Sequence, residues 1–164
     1  MFEFLSRPRL RILVVCTANI CRSPAGEAIL RHRARSAGIQ GKCQFLSAGT
    51  GDVRVTAPPD PRMVTLGKER GISFKGMRSS PCTKSLLGSV DFVWCMDETH
   101  VTSLQDRYPI FVEKVELYDP DGANIDDPYF GSRQDVRMAF EVIDSIAERR
   151  VSDLKEELRA LEQL

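Results

Sequence analysis

The stretch VVCTANICRSPAGEAIL, residues 14–30, brings Cys16, Cys21, Arg22 and Ser23 together directly after an apolar run. Taken alone, the two cysteines fit the edge of a core, half a metal site, a disulfide or the floor of an anion pocket. Written out, the pattern is C-x5-R-S. If it joins a strand end to a helix N-terminus, the backbone N–H groups of Thr17, Ala18, Asn19, Ile20 and Cys21 can cradle an oxyanion, aided by the helix dipole. Arg22 can grip two oxygens of a tetrahedral anion in a planar fork, which lysine cannot. The same field favours thiolate over thiol at Cys16, and the Ser23 hydroxyl can donate to that sulfur. Such a sulfur is placed for in-line attack on phosphorus, with Arg22 and the amides stabilising the equatorial oxygens. No metal or cofactor is needed, because cationic and amide donors already neutralise the anion.

This scheme needs an acid for the leaving oxygen. The late segment NIDDPYFG, residues 124–131, supplies Asp126 and Asp127, with Pro128 stiffening their placement. Tyr129 and Phe130 offer apolar faces for a flat ring. Each piece has an ordinary alternative. A cysteine ending a buried strand is commonly a core residue, and an acidic pair before proline is commonly a solvated turn. The combination is what carries the chemistry.

The rest of the chain narrows the function class. Its 164 residues suit one domain, and it is 42% hydrophobic and 28% charged, as a soluble globular protein would be. Lys+Arg and Asp+Glu are equal at 23 each, which gives no pointer to nucleic acid or membrane, so an anion site has to be local. The N-terminal MFEFLSRPRLRILVVC lacks the long apolar region and small-residue cleavage site of an export signal. No run approaches the ~20 apolar residues of a membrane span. We expect a cytoplasmic protein. Five irregularly spaced cysteines, without a CxxC, argue against a disulfide framework and a zinc site.

The elements that must position these residues follow from the patterning. Strands are predicted over 11–16, 43–49, 89–97 and 112–117, and helices over 24–38, 60–71, 98–107 and from about 133. Asp60 and Gly71 suit the two ends of the second helix. The order βαβαβαβ predicts a single three-layer α/β domain, a four-stranded parallel sheet with helices on both faces. In such Rossmann-like folds ligands bind beyond the carboxyl ends of the strands, where residues 16–23 and 124–131 fall. In the last helix Val136, Phe140, Ile143, Ala147, Val151, Leu154, Leu158 and Leu161 form a near-heptad stripe. It packs on its own sheet, or its part beyond residue 150, a C-terminal extension over 151–164, overhangs and makes a homodimer. Residues 1–10 form an N-terminal extension.

With these residues placed, the chain resembles the low-molecular-weight protein tyrosine phosphatases. The resemblance runs from about Arg11 to Gly131, on VCTANICRSP, SAGT (47–50), PPDPRMV (58–64), CMDETH (95–100) and DDPYFG (126–131). It implies that Cys16 is the nucleophile, Arg22 the phosphate clamp and Asp127 the general acid and then base. It implies loop support from Asn19, Ser23 and Ser47, and a reversible Cys16–Cys21 disulfide that shields the nucleophile from oxidation. The implied partners are phosphotyrosine proteins, in bacteria a tyrosine kinase. Three departures stand out. Ala18 replaces the usual glycine and would crowd the loop if φ is positive there. Val53 and Arg54 replace a common Trp-His, removing an aromatic wall of the substrate cleft and adding a cation. Lys75 stands where a histidine is frequent.

Three rival functions are weighed. A thiol-dependent arsenate reductase of the same fold needs two further relay cysteines on a mobile segment, and Cys95 falls in a predicted buried strand. A protein-arginine phosphatase resembles the pattern with threonine at position 20, where this chain has Ile20. A non-catalytic phosphate-binding module would not need Cys16, Arg22 and Asp127 together. Asp97 is read as a loop brace or a helix N-cap, Trp94 and Cys43, Cys82 and Cys95 as core or loop residues, and His32 and His100 as surface residues.

Overall fold

The structure, a computed structural model, describes residues 10–164. The expected N-terminal extension lies outside the described residues, except that Leu10 already belongs to the first strand. Four parallel strands, β1 (Leu10–Cys16), β2 (Cys43–Gly49), β3 (Phe92–Cys95) and β4 (Val115–Leu117), form one sheet in the order β2-β1-β3-β4. The register pairs Leu10 with Cys43 and Cys16 with Gly49 on one side of β1, and Val15 with Cys95 on the other. Because β1 is central and covered on both faces, Ile12, Leu13, Val14 and Val15 are all fully buried, which explains its unbroken apolar run.

Side-chain alternation along the strands separates two cores. Ile12, Val14, Phe45 and Trp94 face α1 (Arg22–Ser36), α2 (Pro61–Glu69) and α5 (Arg133–Glu162). Leu13, Val15, Val93 and Val115 face α3 (Lys84–Gly88) and α4 (Glu98–Arg107). This is the expected three-layer domain. The chain leaves β1 toward β2 on one side and returns to β3 on the other. The carboxyl end of β1 is therefore the switch point where open α/β sheets bind ligands.

Several boundaries differ from the sequence reading. The helix Lys84–Gly88 was not expected; it is five residues long, too short for a visible apolar period, and Thr83 caps it. The expected strand 112–117 is strand only over Val115–Leu117, because Pro109–Lys114 winds into a 3-10 helix after Pro109. The expected strand 89–97 shortens to Phe92–Cys95. The second helix ends as expected: Asp60 accepts from Arg62 N at 2.9 Å, and Gly71 has φ +70° just past the helix end.

Helix α5 is continuous for 30 residues. Its stripe is buried from Val136 through Val151, Leu154 and Leu158, within the core that includes Ile29, Leu30 and Ala34 of α1, while Leu161 is partly exposed. Lys42 and Glu162 close the far end with an ion pair. The reading in which the part beyond residue 150 overhangs is thus corrected: that segment packs on its own chain. Arg150, buried in the same helix, donates to the carbonyls of Tyr118 and Leu117 and lies 4.3 Å over the Trp94 ring, tying α5 to the end of the sheet.

Candidate active site

Residues 16–22 join β1 to α1 as a loop against the sheet edge. Two backbone bonds, Thr50 N to Cys16 O and Gly51 N to Thr17 O, strap its start to the segment after β2, and Asp60 N donates to Ile20 O at its middle. The left-handed turn falls on Asn19, φ +56°, not on Ala18. The condition for crowding at Ala18, a positive φ, is therefore not met. Asparagine is among the residues that tolerate this conformation, and here its side chain is fully used. Its amide donates to Ser23 Oγ at 2.8 Å and to Ser47 Oγ at 3.0 Å, and its carbonyl accepts from Ser80 N at 2.9 Å.

These bonds orient protons toward Cys16. Ser23 Oγ lies 2.9 Å from Cys16 Sγ, with both residues buried. Because Ser23 Oγ accepts from Asn19, its own proton is shared between Cys16 Sγ and the Ala48 carbonyl at 3.5 Å, and the sulfur is the nearer of the two. Ser47 Oγ donates a hydrogen bond to Glu27 Oε1 at 3.0 Å, and Glu27 is held by Arg31 at 2.5 Å. The polar chain thus runs from the half-exposed Arg31 through Glu27, Ser47, Asn19 and Ser23 to Cys16. Glu27 and Arg31 were missed by sequence reasoning, although their i,i+4 spacing on α1 was visible.

Arg22 is buried, and its Nη1 is committed to the protein: it donates to Asp97 Oδ2 at 2.7 Å and to the Ile125 carbonyl at 2.8 Å. Nη2 faces Asp127 Oδ2 at 3.6 Å. Asp127 is half exposed, and its Oδ1 accepts from Tyr129 N at 3.1 Å, an Asx turn that sets the carboxylate before Pro128. Asp126 has no described contact with Arg22; it lines a shallow groove with Asn124, Met138 and Val142. Asp97 does both things expected of it as alternatives. It braces Arg22 and it caps α4 by accepting from Thr99 N. Arg22 and Thr99 hold its carboxyl below the ordinary range against the opposing effect of burial.

The aromatic pair stands at the mouth. Tyr129 is half exposed and Phe130 almost fully exposed, with rings edge to face at 4.8 Å. Arg62 supports this segment by donating to the carbonyls of Tyr129 and Gly131 while paired with the buried Asp60. Across the loop, Val53 is half buried near Gly49 and Arg54 is exposed. Lys75 is exposed after α2, beside a groove of Pro58, Val64 and Phe74. Cys21 is buried at the N-cap of α1, and burial first, then the nearby Asp60, pushes its thiol up to about 12. All five cysteines are free thiols. Among the described residues no cluster of His, Cys, Asp or Glu could hold a metal ion.

One expectation is overturned. His100 is buried, not at the surface. Its Nδ1 accepts from Asp97 N at 3.1 Å and its Nε2 lies 2.9 Å from Thr17 Oγ1. The signal was present in D-E-T-H, a capping box with histidine at its fourth place. His32 is half buried, and Trp94, Cys43, Cys82 and Cys95 are buried as expected.

Fold and site together define a three-layer α/β domain with buried Cys16, Arg22 and Ser23 gathered between its first strand and first helix. A model of the family "Low molecular weight phosphotyrosine protein phosphatase" matches residues 11–163, and the chain belongs to that family. The low molecular weight phosphotyrosine protein phosphatase of Gallus gallus is 33% identical over 137 residues, 79% of this chain and 86% of that protein. Among solved structures, YfkJ from Bacillus subtilis is 29% identical with a TM-score of 0.83, covering 93% of this chain and 98% of that one. A YwlE arginine phosphatase mutant with a phosphorylated active-site serine is 25% identical with a TM-score of 0.85, covering 92% and 99%.

Proposed function

We propose that this enzyme hydrolyses phosphotyrosine in proteins through a phosphocysteine intermediate. Cys16 Sγ attacks phosphorus in line while the tyrosyl oxygen leaves, taking its proton from Asp127. Water then attacks the phosphocysteine with Asp127 accepting its proton; inorganic phosphate leaves and the thiolate returns. Arg22, through its Nε–Nη2 edge, and the loop amides hold the three equatorial oxygens throughout. The observation that carries this reading is the convergence of Ser23 Oγ at 2.9 Å from Cys16 Sγ with Asp127 at 3.6 Å from Arg22. Tyr129 and Phe130 receive the tyrosyl ring, and Arg54 and Val53 contact the residues around it. Cys21 is the thiol that closes onto an oxidised Cys16; it sits buried in the same loop and in electrostatic range of that sulfur.

The partners are phosphotyrosine proteins, and the working compartment is the cytoplasm, a reading supported by five free, buried thiols. Among the described residues no helix is long and apolar enough to cross a membrane. Arsenate reduction is disfavoured because Cys82 and Cys95 are buried, Cys95 within β3, so neither is placed to shuttle a disulfide. Phosphoarginine is the second reading, prompted by the YwlE likeness; Ile20 in place of threonine favours phosphotyrosine.

Hydrolysis of p-nitrophenyl phosphate, a phosphotyrosyl peptide and a phosphoarginyl peptide in chelator tests the assignment. We expect wild-type turnover of the first two, none by Cys16→Ser and a slow residual rate for Asp127→Ala. Inactive wild type, or active Cys16→Ser, overturns it; preference for the phosphoarginyl peptide moves the substrate to the second reading.

A further inference from the structure

The N-terminal turn of α4 grips the catalytic loop at both ends. Asp97 holds Arg22, the last residue of the loop, at 2.7 Å, and His100 meets Thr17, the first residue after the nucleophile, at 2.9 Å. The direction of the second bond follows from the first nitrogen of the ring. Nδ1 accepts the Asp97 N–H, so the neutral ring carries its proton on Nε2 and donates it to Thr17 Oγ1. That donation fills one lone pair of the Thr17 hydroxyl, on a residue that is otherwise exposed. On the opposite side Thr17 O accepts from Gly51 N. The peptide following Cys16 is thus held from two elements, α4 and the segment after β2.

We propose that His100 is a positioning residue for the phosphatase reaction, tethering Thr17 so that the loop amides after Cys16 stay aimed at the phosphoryl group. It acts through Thr17 and touches no reacting atom. A loop whose N–H groups must point inward gains from such a tether because misaimed donors lose most of their effect on the transition state. The tether also couples both ends of the loop to one capping box, so Arg22 and the amides move as a unit.

This inference rests on the phosphatase reading, and the test separates the two. His100→Asn keeps a short acceptor for Asp97 N, as Asp135 does at the same place in α5, but its side chain cannot reach Thr17. His100→Gln carries an amide long enough to reach Thr17 or to turn back to Asp97 N as a capping-box glutamine does, but not to do both at once. Thr17→Val removes the acceptor hydroxyl without changing shape. With p-nitrophenyl phosphate we expect His100→Asn and Thr17→Val each to lose about 5- to 30-fold in kcat with KM little changed, the cost of about one to two net hydrogen bonds in the transition state. The double variant should be no slower than the slower single. His100→Gln should recover part of the rate that His100→Asn loses, without needing a higher melting temperature than His100→Asn to do so. Inactive wild type sinks the phosphatase reading itself. Active wild type with unaltered single variants, a multiplicative double variant, or rates that follow melting temperature across the set overturns the tether.

Discussion

Asp97 Oδ2 stands 2.7 Å from Arg22 Nη1, and the Ile125 carbonyl takes the same nitrogen at 2.8 Å. One half of the guanidinium is therefore spent on position; in the proposed reaction the other half holds the phosphoryl oxygens. Asp97→Asn keeps a cap for α4 but removes the charge that fixes Arg22. We expect kcat/KM on p-nitrophenyl phosphate to fall roughly tenfold, because a charge-assisted hydrogen bond becomes a neutral one. Arg22→Lys should cost on the order of 10²- to 10³-fold, since a point charge cannot replace the fork. Steady-state kinetics on both variants checks the ranking.

Asn19 separates backbone strain from hydrogen bonding. Asn19→Ala puts a residue that resists φ +56° at the turn and deletes three hydrogen bonds. Asn19→Gly accepts the turn but deletes the same bonds. Both should lose activity to a similar degree, because Ser23 is no longer oriented toward Cys16. Asn19→Ala should also be less stable than Asn19→Gly by about 1 kcal/mol, the cost of αL for a side chain with a Cβ. Urea unfolding of the pair reads the difference.

Gly49 has no room for a side chain. A Cβ there would lie 2.6 Å from the Thr17 carbonyl oxygen and 3.1 Å from the Ala18 carbonyl carbon, both backbone atoms of the catalytic loop. Gly49→Ala should destabilise by roughly 1–3 kcal/mol through overpacking and cut kcat more than KM, because the loop must shift. Gly41→Ala, where nothing lies within 4 Å of the new carbon, should change neither.

Stability should carry the signature of a buried neutral histidine. Burial pushes His100 down to about 4, with Asp97 and Asp127 opposing and Arg22 reinforcing that shift. Unfolding returns it to an ordinary value near 6.5. Between those values the unfolded chain binds the extra proton, so stability falls as pH drops through about 6.5 and this loss levels off near 4. The full effect is roughly 3 kcal/mol. His100→Asn should flatten this part of the curve between pH 7 and 5, read as melting temperature against pH.

The layer order and the site loop were legible because their signals are local. Four β-rich runs, separated by helix-length periods, dictate a parallel sheet, and Cys16, Arg22 and Ser23 sit within eight residues of one another. Contacts between distant segments were not legible. Glu27 looks like an ordinary helix-surface acid until β2 brings Ser47 against it. His100 looks polar and exposed until α4 lays its first turn beside the loop after β1. Arg62 reads as a surface cation until the chain returns at Tyr129. Which loop residue is left-handed was not legible either: glycine preference points to no residue of CTANICR, whereas asparagine can take that turn and use its amide on three partners.

A phosphoryl group bound to sulfur is the species that distinguishes this mechanism. Asp127→Ala should let phosphoryl transfer to Cys16 begin while slowing water attack, so that the intermediate accumulates. Acid-quenching this variant during turnover of p-nitrophenyl phosphate and weighing the intact protein should show one added phosphoryl group, mapped by peptide to Cys16 and absent from Cys16→Ser. A phosphoryl group on any other residue, or an adduct that persists in Cys16→Ser, would contradict the mechanism.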